Sequence, residues 1–171
     1  AYMLWVAMSL LFPARPGAAA HPWYRRTLGL AVLTCVTIIS GGFVAGLKAG
    51  KIYNTFPKMG DDWLPAGLLS LDPLWRNFFD NTATVQFDHR WLAIGTFVAI
   101  VTYWFTARKA DLPDRARPAI NALLHTSALQ VVLGISTLLL AVPVVLGAAH
   151  QGVAMLLFTV MLYLLHALRR A

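Results

Sequence analysis

Long apolar runs alternate with short polar stretches along the chain, and four of the runs exceed 18 residues. They predict spans over Thr27–Ala49, Val85–Ala107, Pro118–Val142 and Gly147–Leu168. A helix needs about 20 mostly apolar residues to cross the hydrocarbon core of a bilayer, so each run suffices. No strand-like alternation accompanies them, and helices then satisfy the backbone within lipid. Pro118 suits a helix start, where its missing N–H removes no bond, and Pro143 closes the third span. A fifth apolar run, residues 1–12, reaches Pro13 too soon to span and lacks the basic start of a signal peptide. It reads as the end of a spanning helix, with a short interfacial segment as the alternative. The expected organisation is all-α: a helix end at 1–12, an inner linker at 13–26 and a four-helix membrane bundle over 27–171.

Composition agrees. Hydrophobic residues make up 58% of the 171 and charged residues 12%, against about a quarter charged in an ordinary soluble domain. So little charge cannot cover a soluble surface, which excludes a cytosolic globular enzyme, a disordered chain and a nucleic-acid-binding module. The single Cys35 excludes an internal disulfide and a cysteine-based metal cluster.

The net charge of +7 is unevenly placed. Arg15, Arg25, Arg26, Arg108, Lys109, Arg115, Arg117, Arg169 and Arg170 fall on one side with Asp111 and Asp114, giving 9 − 2 = +7. Lys48, Lys51, Lys58, Arg76 and Arg90 fall with Asp61, Asp62, Asp72, Asp80 and Asp88, giving 5 − 5 = 0. The basic side is the inner one, cytoplasmic or mitochondrial matrix. The second and fourth spans then run outside to inside, parallel to each other. The outer loop, residues 50–84, carries Trp63, Trp75, Phe78 and Phe79. Its DPLWRNFFDN segment predicts a short amphipathic helix at the interface, serving either as a lid over an outer site or as a surface anchor.

Five histidines carry the candidate chemistry. His21 falls in an inner loop and is expected to be solvated. His166, near Arg169 in a last helical turn, is expected at the interface. His89, His125 and His150 lie within spans or at their edges, where an ionisable group is costly and points to function. His89 precedes Arg108 by 19 residues and His150 precedes Arg169 by 19. Both therefore lie about 28 Å from the inner boundary, on parallel helices. His125 follows Arg117 by 8 residues and lies about 16 Å deeper than the pair. Hydrogen bonding near Thr126, Ser127 and Gln130 is the expected fate of His125.

The matched pair admits two readings. Zinc usually asks for three or four protein ligands, and the sequence offers no further one at that level. Haem needs two axial ligands and an apolar slot between helices. Alternatively, His89 and His150 are separate core histidines, each hydrogen-bonded to a neighbour. Small residues at Ala93, Gly95, Ala148, Ala149 and Gly152 leave room for a flat macrocycle or simply let helices pack. Gly42, Gly46 and Gly50 form a small-xxx-small stripe suited to close helix approach.

Three long segments resemble the C-terminal half of haem A synthase of the proteobacterial and mitochondrial type. They are GGFVAGLKAGKIYNTFPKMGDDWLP (41–65), RNFFDNTATVQFDHR (76–90) and QVVLGISTLLLAVPVVLGAAHQG (130–152). The likeness extends from the Leu4–Leu11 run to Arg170. It implies an eight-span enzyme of two similar bundles that oxidises the C8 methyl of haem O to the formyl of haem A, for terminal cytochrome oxidase. It implies that His89 and His150 ligate a haem b. The substrate haem and a catalytic glutamate belong to the other half. No Glu occurs in this chain, and the paired loop cysteines of some bacterial relatives are absent. The resemblance thus implies a fragment, or a standalone half, with no catalytic residue of its own. The alternative function is a b-type cytochrome or haem-handling subunit without catalysis.

Arg90 and Gln151 adjoin the ligands and are expected at the haem propionates, with a headgroup-facing charge as the other reading of Arg90. Tyr53, Asn54 and Lys58 are expected to cover the site. Implied surroundings are the lipid bilayer of a bacterial inner or mitochondrial inner membrane, further copies of the chain, and haem O synthase, with no nucleic acid.

Overall fold

The computed structural model describes residues 1–13 and 19–169; Arg15 and Arg170, counted above among the inner charges, lie outside the described residues. Helix α1 covers Tyr2–Leu11 and α2 covers Tyr24–Gly46. A 3-10 turn at Ala49–Lys51 opens the outer loop, and another at Leu74–Arg76 leads into the short α3, Asn77–Asp80. Helices α4 (Thr82–Ala107), α5 (Ala116–Leu139) and α6 (Val144–Leu168) complete the order. The four long helices are each apolar enough to cross a membrane, as expected, and the chain is an all-α membrane protein among the described residues.

Helix ends depart from the hydropathy boundaries for local reasons. Helix α4 starts three residues before Val85 because Asn81 caps it: its Oδ1 accepts from Ala83 N (2.9 Å) and Thr84 N (3.1 Å). Helix α5 stops at Leu139, short of the expected Val142. Pro143 disfavours helical geometry in the residue before it, and Ala141 and Val142 turn left-handed instead, at φ 57° and 62°. Such a φ is unusual for a β-branched residue. Val142 N donates to Thr137 O (2.8 Å), which holds the turn. Gly50 makes room for it, since a Cβ there would lie 3.0 Å from Val142 Cγ2. Asn54 ties the same corner down, donating from Nδ2 to Gly50 O (2.8 Å) and Leu138 O (2.9 Å).

The packed core fills only the inner half of the bundle. It comprises Leu30 and Ala31 of α2, Ile100 and Tyr103 of α4, Ile120 and Leu123 of α5, and Met161 and Leu164 of α6, among others. Side-chain bonds tie α2 to α4 at successive levels. Thr27 Oγ1 meets Tyr103 Oη at 2.7 Å, Thr37 Oγ1 meets Thr96 Oγ1 at 2.7 Å, and Ser40 Oγ meets His89 Nδ1 at 2.8 Å. Helix α1 lies against the inner end of α6. Trp5 meets the His166 ring edge-on at 5.2 Å, and Phe12 meets Tyr163 at 6.4 Å. His166 is therefore 2% exposed rather than interfacial, because α1 covers it.

The outer loop is ordered around one buried amide. Asn77 Nδ2 donates to Leu71 O (2.8 Å) and Leu74 O (2.9 Å), while its Oδ1 accepts from Leu71 N (2.9 Å) and Asn81 Nδ2 (2.9 Å). This knot holds Leu74, Trp75, Phe78 and Phe79 outward and exposed, matching the expected interfacial segment. Replacing Asn77 with Ala removes its bonds to Leu71 N, Leu71 O and Leu74 O, at about 0.5–1.5 kcal/mol for each. Asn77→Ala is expected to make the 65–81 segment protease-sensitive while the spanning helices keep their hydrogen-exchange protection.

Candidate histidine site

Between the packed inner core and the outer loop lies a layer in which no residue of the four long helices is buried. It covers residues 35–46 of α2, 87–95 of α4, 128–136 of α5 and 144–156 of α6. His89 of α4 and His150 of α6 both stand in it, so the residues that the depth arithmetic paired fall in one layer of the fold.

Each imidazole rests on a glycine of the preceding span. A Cβ on Gly41 of α2 would lie 3.0 Å from His89 Cε1, and one on Gly134 of α5 would lie 2.9 Å from His150 Cε1. Ordinary side chains leave no room for these rings. A polar side chain of the same helix meets each ring: Ser40 Oγ at His89 and Gln130 Nε2 at His150. The α2–α4 and α5–α6 pairs therefore present their histidines in the same manner.

Their hydrogen bonds differ. His89 Nδ1 bonds Ser40 Oγ at 2.8 Å. At His150, Nε2 meets Gln130 Nε2 at 3.3 Å, while Nδ1 and Gln130 Oε1 are buried without partners. His150 thus keeps one ring nitrogen unpaired, as His166 does beneath α1. Two imidazoles on glycine seats, in a layer where no residue of the four long helices is buried, fit a flat macrocycle held by two histidines. Among the described residues no group of three or more His, Cys, Asp or Glu is placed to hold a metal ion by itself.

Neighbouring expectations fare unevenly. Arg90 reaches into the outer loop: Nη1 donates to Thr55 O (2.8 Å) and Lys58 O (3.1 Å), and Nη2 to Tyr53 O (2.7 Å). The guanidinium thus clamps the loop, and only its Nε remains unpartnered. Gln86 Nε2 adds a bond to Tyr53 O (3.0 Å). Tyr53, Asn54 and Lys58 do belong to the loop stretch that adjoins this turn of α4. Gln151 is exposed and makes no hydrogen bond among the described residues. His125 is exposed and apart from the pair; its Nδ1 bonds the Asn121 carbonyl of its own helix at 2.8 Å, not a neighbouring helix. Gln130 belongs to His150 instead. Gly42 and Gly46 face open space, as do Gly95 and Gly152; of the expected stripe only Gly50 meets a close neighbour, Val142, while the approach to His89 occurs at Gly41.

The roles of Ser40, Gly41, Gln130 and Gly134 were not singled out from the sequence. A signal was there, because both spans carry a polar residue four before the glycine, Thr37 with Gly41 and Gln130 with Gly134.

Comparison with known proteins decides the family. Residues 1–162 match the model of the COX15-CtaA family, cytochrome oxidase assembly proteins. The chain belongs to this family. Its relatives include the haem A synthase of Nitrosospira multiformis, 48% identical over 174 residues, covering 99% of this chain and 49% of the relative. The haem A synthase COX15 of Arabidopsis thaliana is 47% identical over 175 residues, covering 98% of this chain and 38% of the relative. Human COX15 is 45% identical over 170 residues, covering 98% and 42%. The chain thus spans half the length of these relatives or less. No solved structure matches it significantly.

Charged hydrogen bonds contribute about 1.5–3 kcal/mol each. Arg90→Gln is therefore expected to speed hydrogen exchange across residues 53–60 by tenfold or more. Arg90→Lys is expected to restore it only in part, lacking the fork that reaches three carbonyls.

Proposed function

We propose that this chain is the haem b-binding C-terminal half of a haem A synthase, with His89 and His150 as the axial ligands. The observation that carries the reading is the pair of imidazoles on glycine seats within the layer where no residue of the four long helices is buried. The family match and the names of the relatives support it. Residues 27–171 form the haem-binding bundle, residues 1–12 the end of a preceding spanning helix, and 13–26 the inner linker. The membrane is the bacterial plasma membrane or the mitochondrial inner membrane.

Haem, when bound, would supply a one-electron centre suited to electron transfer, and His89 and His150 would hold it. The residues around it act by placement. Gly41 and Gly134 admit the rings, Ser40 orients one of them, and the inner core below fixes the spacing of the four helices. Arg90 holds the outer loop across the same turn of α4 that bears His89, which limits water entry from outside. Oxidation of the C8 methyl of haem O belongs to the whole enzyme, whose other half holds the substrate haem and the catalytic glutamate. This half contributes electron transfer or structural haem binding. Further copies of the chain and haem O synthase are its proposed partners.

Reduced-minus-oxidised spectra of the purified protein test the ligands. His89→Ala and His150→Ala are each expected to abolish the low-spin haem bands, and His125→Ala to leave them intact. Survival of those bands without either member of the pair would falsify the assignment. A b-type cytochrome without catalysis would give the same spectra; loss of haem A formation in the whole enzyme carrying His89→Ala separates the two.

A further inference from the structure

The two histidines are seated alike but bonded differently, and the difference has a direction. Ser40 Oγ lies 2.7 Å from Thr37 O and 2.8 Å from His89 Nδ1. Two oxygens at that distance repel unless a proton lies between them, so the single hydroxyl hydrogen of Ser40 goes to Thr37 O. The hydroxyl oxygen must then accept from His89 Nδ1–H. Neutral imidazole has one N–H, which leaves the Nε2 lone pair of His89 free. That is the tautomer a metal ligand needs, and an acceptor on Nδ1–H also raises the ring's basicity.

No acceptor hydrogen-bonds His150 Nδ1. The Gln130 amide stands 3.3 Å from its Nε2, the atom that would otherwise face an axial partner. Its Nδ1 and the Gln130 Oε1 are left buried and unpaired. Exchanging amide O and N changes which Gln130 atom is unpaired but not the outcome, since one ring nitrogen still lacks a partner. The His150 side is therefore incomplete until Gln130 turns away.

We propose that Ser40 and Gly41 pre-set His89 as the anchoring axial ligand, while Gly134 seats His150 and Gln130 caps it, so that the bond to His150 closes second. This rests on the haem reading above. Ser40, Gly41, Gly134 and Gln130 are positioning residues in it, acting through the two rings.

Haem content and spin state of the purified full-length protein test this. His150→Ala is expected to retain haem on His89 as a high-spin species, severalfold more than His89→Ala retains. Ser40→Ala is expected to raise the haem midpoint potential by removing the acceptor on Nδ1–H, and Ser40→Thr to restore it. Gly41→Ala and Gly134→Ala are expected to alter the low-spin electron paramagnetic resonance g-values, whereas Gly42→Ala, in open space, leaves them unchanged. Equal haem retention in the two histidine variants, or more in His89→Ala, overturns the order of closure. An unchanged potential in Ser40→Ala overturns the pre-set tautomer, and that variant reports even if the glycine variants fail to fold. Low-spin haem persisting in both histidine variants overturns the haem reading itself, a result distinct from these.

Discussion

Inside a bilayer a polar side chain has only the protein to bond to, and the placement of nearly every buried polar group here follows from that. Thr27 finds Tyr103, Thr37 finds Thr96, and Ser40 finds His89. These ties run up the α2–α4 seam and fix its register, because each requires its partner at one level. In the outer loop the same demand is met by Asn77, whose amide serves four bonds at zero exposure. Against this background the unpaired atoms gather near the histidines: Gln86 Oε1, Arg90 Nε, Gln130 Oε1 and His150 Nδ1 are all buried without partners.

Much of this was legible in the sequence. Four apolar runs gave four long apolar helices, and equal spacing from the arginines at their ends placed His89 and His150 in one layer. These signals survive because the bilayer imposes fixed lengths and a fixed charge asymmetry. What was not legible depends on rotation about a helix axis. A one-residue difference, about 100° around the helix, separates Gly41 under the His89 ring from Gly42 in open space. Arg90 follows His89 by one residue and so leaves the site for the loop carbonyls at Tyr53, Thr55 and Lys58. His166 was misplaced for a different reason: its burial depends on α1, whose packing partner no local pattern encodes.

The loop and the site share one turn of helix. Arg90 grips three carbonyls, Gln86 shares one of them, and His89 lies between these two in sequence. Rotation of α4 that turned the His89 ring would drag the 53–58 backbone with it. The reverse also holds, so disturbance of the outer surface is transmitted to the ring without a separate relay.

The packed core stops halfway up the bundle, and this makes the two halves unequal in cohesion. Residues such as Ile100, Leu123, Met161 and Leu164 interlock at the inner end with almost no exposure, whereas the histidine layer above holds no fully enclosed side chain. The inner half is thus packed on its own contacts, and the histidine layer is not. In a growing or freshly inserted chain, helix assembly and completion of the site become separable events, the first self-sufficient and the second reversible.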